Sequence, residues 1–165
     1  MTRSIIWTVG LCIIAGILQS TVLGRVAILN VVPDLALGIL VFSAYINGTM
    51  TGQISGFFSG LLLDFLSAAP LGLNSLVRTL IGALTGIFKG SFFLDYIFMP
   101  VILCALATLA KAVILLLLNL IFGAAVPSYS FASPVLWIEL GMNALLAPLL
   151  FLLLRRIKYL SPARR

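Results

Sequence analysis

The sequence predicts an all-α integral membrane protein, with six transmembrane helices in one compact bundle and residues 1–165 forming a single polytopic domain. Three observations carry that reading. Of the 165 residues 62% are hydrophobic and only 8% charged, with mean hydropathy +1.27, too much apolar surface for a soluble domain of this size to bury. Proline, glycine and asparagine break the apolar sequence into six runs, of the order of the ~20 residues a span requires. Half of the ten cations gather after the last of those runs: Arg155, Arg156, Lys158, Arg164 and Arg165.

Helix one is expected over 5–23. Arg3 ahead of it resembles the start of a signal peptide, but the run is long and has no small-x-small cleavage site near its end, so it reads as a retained helix. Arg25 and the residues to Val32 form a connection. Pro33-Asp34 opens helix two, 34–46: proline suits a first helical turn, and aspartate there meets the positive end of the helix dipole. This helix is short for a span. Asn47-Gly48 turns into helix three, 48–66, and a loop with Pro70 and Gly72 follows. Asn74 is the expected cap of helix four, 74–88.

Lys89, Gly90 and Asp95 mark the next connection, with Phe92, Phe93 and Leu94 held at the membrane interface. Helix five, 96–122, exceeds a perpendicular span and is expected to tilt. The longest loop, from Gly123 to Ser133 with Pro127, Tyr129 and Phe131, leads into helix six, 134–154, where Trp137 can anchor at the interface.

Six helices put both termini on one side. That side carries Arg3, Lys89 and the five C-terminal cations, against Arg25 alone in the opposite loops, so both termini are expected to be cytoplasmic. The net charge of +6 then reads as a topology signal in contact with anionic lipid headgroups. No basic–aromatic interleaving points to nucleic acid. Cys12 and Cys104 sit inside apolar runs without CxxC spacing and read as buried free thiols. Histidine is absent, which removes the commonest metal ligand and general base; no cofactor and no metal is expected.

Two glycine series stand out. Gly48, Gly52, Gly56 and Gly60 are four residues apart and the next step is Asp64; Arg78, Gly82, Gly86 and Gly90 repeat the count. Residues i and i+4 lie nearly above one another on a helix, so each series is a stripe without side chains and with a charge at one end. Such stripes let backbones approach closely, inside a bundle or against another protein. Internal packing is the simpler reading.

Under this topology Asp34, Asp64, Arg78 and Glu139 fall within one or two turns of the outer helix ends, and Lys111 lies deeper in helix five. A charge at the bilayer centre costs about 2.5–3.5 kcal/mol, so pairing is expected. Asp64 ends helix three and Arg78 sits one turn into helix four, a short loop away. The sequence therefore predicts an Asp64–Arg78 pair that holds this hairpin in register. Lys111 with Glu139 is the second pairing. The cluster reads either as a neutralised structural network or as a binding or coupling site for a partner or small ligand. Catalysis finds no support: Ser55, Ser59 and Ser67 have no histidine partner, and Asp64 and Glu139 form no intramembrane protease motif.

The run Pro33-Asp34-Leu35, then Gly52-x3-Gly56-x3-Gly60-Leu61-Leu62-Leu63-Asp64, then Pro70-Leu71-Gly72-Leu73-Asn74, resembles the MreD family of rod shape-determining proteins. Length and the six apolar runs agree over the whole chain, while the motifs lie within 33–90. The resemblance implies a non-catalytic, multi-pass scaffold of the bacterial inner membrane. It would serve the cell-elongation (rod) complex, in cell shape and peptidoglycan synthesis, through binding MreC. MreB, RodA and a class B penicillin-binding protein belong to the same assembly. MreD-like proteins are also similar in fold to the substrate-binding S components of energy-coupling-factor vitamin transporters. That alternative implies an Ala-x3-Ala docking patch on helix one, where this chain has Gly10, Ala15 and Gly16.

Overall fold

The computed structural model describes residues 1–22, 31–67, 69–90, 97–123, 126, 131, 133–158 and 160. Arg25, Phe92, Phe93, Leu94, Asp95, Tyr96, Pro127, Tyr129, Arg164 and Arg165, on which some of the expectations above fall, lie outside these residues. Among the described residues the chain forms α1 (Thr2–Thr21), α2 (Leu35–Asn47), α3 (Thr49–Leu66), α4 (Leu73–Ile87), α5 (Phe98–Phe122) and α6 (Pro134–Arg155). By length and composition α1, α5 and α6 can each cross a membrane.

The packing of α1 is inverted relative to a helix in a soluble bundle. The buried face of α1 is Ser4, Thr8, Cys12 and Ala15, spaced four, four and three residues apart, while Ile6, Trp7, Ile14 and Ile17 point outward. In water this would expose the wrong side; in lipid, small and polar residues belong between helices because they allow close approach and hydrogen bonding. Thr8 Oγ1 lies 2.6 Å from Ser43 Oγ on α2, and Cys12 Sγ donates to the Ala36 carbonyl at 3.4 Å. Both cysteines are free and buried.

The short α2 is the axis of the bundle. Ten of its 13 residues are buried and it packs against every other helix. Phe42 meets Phe151 of α6 edge-on at a ring separation of 5.0 Å, within the range such pairs favour. A helix enclosed on all sides need not be amphipathic, which is why α2 reads as evenly apolar.

The glycine stripes face each other across α3 and α4. A Cβ built on Gly52 would overlap the Gly82 carbonyl oxygen, and one on Gly82 would overlap that of Gly52. Cβ atoms on Gly56, Gly60 and Gly86 would strike the backbones of Arg78, Ser75 and Thr49 respectively. From Gly52 to Gly60 and from Gly82 to Gly86 the stripes are therefore one internal contact of backbone on backbone, and Gly90 lies outside it. Gly48 stands apart: at φ +97° it is the joint between α2 and α3, a conformation that favours glycine.

Beside that joint Lys89 Nζ donates to the Asn47 carbonyl at 3.0 Å, and Asn47 Nδ2 donates to the Leu160 carbonyl at 2.9 Å. The ends of α2 and α4 are thus tied to the segment after α6. At the opposite end lies the site described next.

Candidate functional site

Asp34 begins as a local device. It is the N-cap of α2, one residue outside the helix rather than in its first turn, and accepts from the Leu37 amide at 2.9 Å through Oδ1. The fold then brings two cations to it. Arg78 Nη2 of α4 donates to Oδ1 at 3.0 Å, and Lys111 Nζ of α5 donates to Oδ2 at 3.0 Å. Lys111 also reaches Glu139 Oε1 of α6 at 2.7 Å, the pairing read from their depths. Two cations and two carboxylates alternate in one chain, Arg78–Asp34–Lys111–Glu139, that crosses four helices.

Removing such charges from water costs several kcal/mol per ion, so the arrangement is tolerable only when every partner is present. Glu139 is 3% exposed, Arg78 7% and Asp34 9%. Neutral groups extend the network. Asn143 Oδ1 accepts from the Asp34 amide at 2.7 Å, and its Nδ2 donates to Thr108 Oγ1 at 3.0 Å. Gln19 of α1 donates to the Pro33 carbonyl at 2.7 Å and accepts from the Ala36 amide at 3.4 Å. Five helices consequently meet around one carboxylate.

The expected Asp64–Arg78 pair does not form. Asp64, 2% exposed, instead accepts four hydrogen bonds from the turn into α4. They come from the amides of Gly72 at 3.0 Å, Asn74 at 2.9 Å and Ser75 at 3.1 Å, and from Asn74 Nδ2 at 3.0 Å. An anion at a helix N-terminus satisfies amides that lack intrahelical partners and faces the positive end of the dipole. Asn74 is accordingly not the cap of α4; Gly72 holds that position and Asp64 supplies the acceptor from the preceding helix. Arg78, a turn further along, is free to face α2.

Gly52, Gly56, Gly60, Gly82 and Gly86 bring α4 against α3 but lie outside the charge network. Gln19, Thr108 and Asn143 belong to it and were not singled out. A signal for two of them was present: Asn143 is four residues after Glu139 and Thr108 three before Lys111, so each shares a helix face with a charge.

Two clefts flank Asp34. One, of about 290 Å³, lies among α1, α3 and α4 and includes Gln19, Asp34, Asn74 and Arg78 in its wall. The other, of about 190 Å³, is lined by Asp34, Lys111 and Glu139 among others. Among the described residues no group of His, Cys, Asp and Glu could hold a metal ion.

An apolar exterior, long apolar helices and a neutralised charge network in the interior define a helical membrane protein. The sequence model of the rod shape-determining protein MreD family matches residues 1–157, and the chain belongs to that family. Its role is that of a cell-shape determinant, acting within the rod-shape system. No curated protein and no solved structure matches the chain.

Proposed function

We propose that this chain is a non-catalytic, multi-pass scaffold of the bacterial inner membrane. Its six helices form a single polytopic domain with both termini in the cytoplasm, and it serves peptidoglycan synthesis by binding an MreC-like protein. MreB, RodA and a class B penicillin-binding protein are the further partners of that assembly. The observation that carries this reading is where the charge lies. Three buried ionic groups and the half-buried Lys111 are joined to one another between α2, α4, α5 and α6, and Asp64 is enclosed by the start of α4. They brace a rigid body whose outward faces are apolar, suited to contact with another membrane helix. Arg155, Arg156 and Lys158 after the body of α6, with Lys89 at the same end, suit contact with anionic headgroups.

The experiment is a mild-detergent pull-down of the full chain from native membranes. Co-purification of an MreC-like protein and wall-synthesis enzymes supports the scaffold. Recovery of an ATPase module with a bound vitamin, and no MreC-like protein, overturns it in favour of a transporter S component.

A further inference from the structure

Among the described residues, one donor in the charge network has no acceptor. The Arg78 side chain is 8% exposed and its Nη2 is held by Asp34, while its Nη1 is buried with no hydrogen-bond partner. A buried charged donor left without a partner is costly and calls for a physical explanation, a bound acceptor being one. Arg78 also forms part of the wall of the cleft among α1, α3 and α4. At about 290 Å³ that cleft far exceeds the ~10–15 Å³ needed by one water.

The chemistry of the wall is divided. Ser20, Ser67 and Asn74 stand with Arg78 on the polar part, and Leu63 and Leu66 continue the cleft along α3. Ser67 Oγ accepts from Asn74 Nδ2 at 3.3 Å, which leaves its own proton to donate. Asp34 also borders the cleft, but Oδ1 is occupied by Leu37 and Arg78 and Oδ2 by Lys111. Ser20 Oγ already donates to the Ile17 carbonyl at 3.0 Å, so among the described residues the donors left there are the Ser67 hydroxyl and the cationic Arg78 Nη1.

We infer that this cleft binds a phosphate-type oxyanion, with Arg78 Nη1 turning onto it while Nη2 keeps Asp34. Guanidinium suits the role because its planar fork can hold two acceptors at once. The leucines beside the polar wall let the phosphate be either a free anion or the headgroup of a lipid whose chain lies along α3. The inference does not depend on MreC binding and is tested without it.

The test uses the full chain purified in detergent, titrated at constant ionic strength with inorganic phosphate or with phosphatidylglycerol, following thermal unfolding. Ser20 is exposed at the cleft, so Ser20→Glu adds an anion there without disturbing the core; Thr21→Glu places the same charge next door, outside the wall. Ligand binding raises the unfolding temperature by mass action. Ser20→Glu weakens apparent affinity by about tenfold or more, from charge repulsion at short range, and Thr21→Glu has a much smaller effect. Arg78→Lys, which keeps a charge for Asp34 but lacks the second nitrogen, abolishes the shift. A shift with inorganic phosphate identifies a free-anion site, and one with phosphatidylglycerol alone identifies a headgroup site. If neither ligand shifts unfolding, or Ser20→Glu and Thr21→Glu respond alike, the inference is overturned.

Discussion

Asp34 Oδ1 lies 3.0 Å from Arg78 Nη2, although 44 residues separate the two in the chain. With Lys111 on its other oxygen, this carboxylate joins the first turn of α2 to α4 and α5. The same residue starts α2 by capping it and receives the Asn143 side chain of α6 on its backbone amide. Helix initiation and helix packing therefore depend on one side chain.

Asp64 and Arg78 act separately, and a charge exchange distinguishes this from a direct pair. Asp64→Ala removes the acceptor of four hydrogen bonds and is expected to lower stability by about 1–2 kcal/mol or more, as the loss of a strong N-cap does. Arg78→Asp places a second carboxylate beside Asp34. The double exchange, Asp64→Arg with Arg78→Asp, should be no more stable than the worse single variant. Recovery of folded protein on size-exclusion chromatography in the double variant would show that the two side chains meet.

The glycines of the α3–α4 contact differ sharply from those elsewhere in what they tolerate. Gly56→Ala pushes a methyl group into the Arg78 backbone, which has no rotamer to relieve it, and a loss of about 1–3 kcal/mol is expected. Gly10→Ala and Gly141→Ala meet nothing within 4 Å and should leave the unfolding midpoint unchanged or slightly raised. Equal effects at all three positions in a thermal-unfolding series would contradict the packing described.

Much of this was legible in the chain. Six helices follow from the breaks at Pro33, Gly48, Gly72, Gly90 and Gly123, and the start of α2 from the Pro33-Asp34 step before an apolar run. The height of each charge along its helix is readable too, because the helices are regular and counting residues fixes height. Which charges touch was not. Height is set within a helix, whereas azimuth depends on which helices are neighbours. The evenly apolar α2 gives no sign in its own sequence that it sits at the centre. The sequence therefore pairs Arg78 with the nearest acid along the chain and gives the capping of α4 to Asn74, whereas the acceptor comes from Asp64 of the preceding helix.

The proposed topology makes a separate prediction. A reporter that is active only outside the cytoplasm, fused after Arg165, should remain silent, while a cytoplasmic fluorescent reporter at the same point should be bright. The reverse pattern would invert the membrane orientation and place the Asp34 network toward the cytoplasm.

The central claim is that the Asp34–Arg78 contact braces the bundle, and a double-mutant cycle on reversible unfolding in detergent tests it most directly. Asp34→Asn and Arg78→Gln each strand a buried partner and should each cost about 3–5 kcal/mol. Together they remove both charges, so the double variant should lose less than the sum, with a coupling of about 1–3 kcal/mol. Strictly additive losses, or single variants as stable as the parent, would contradict the account.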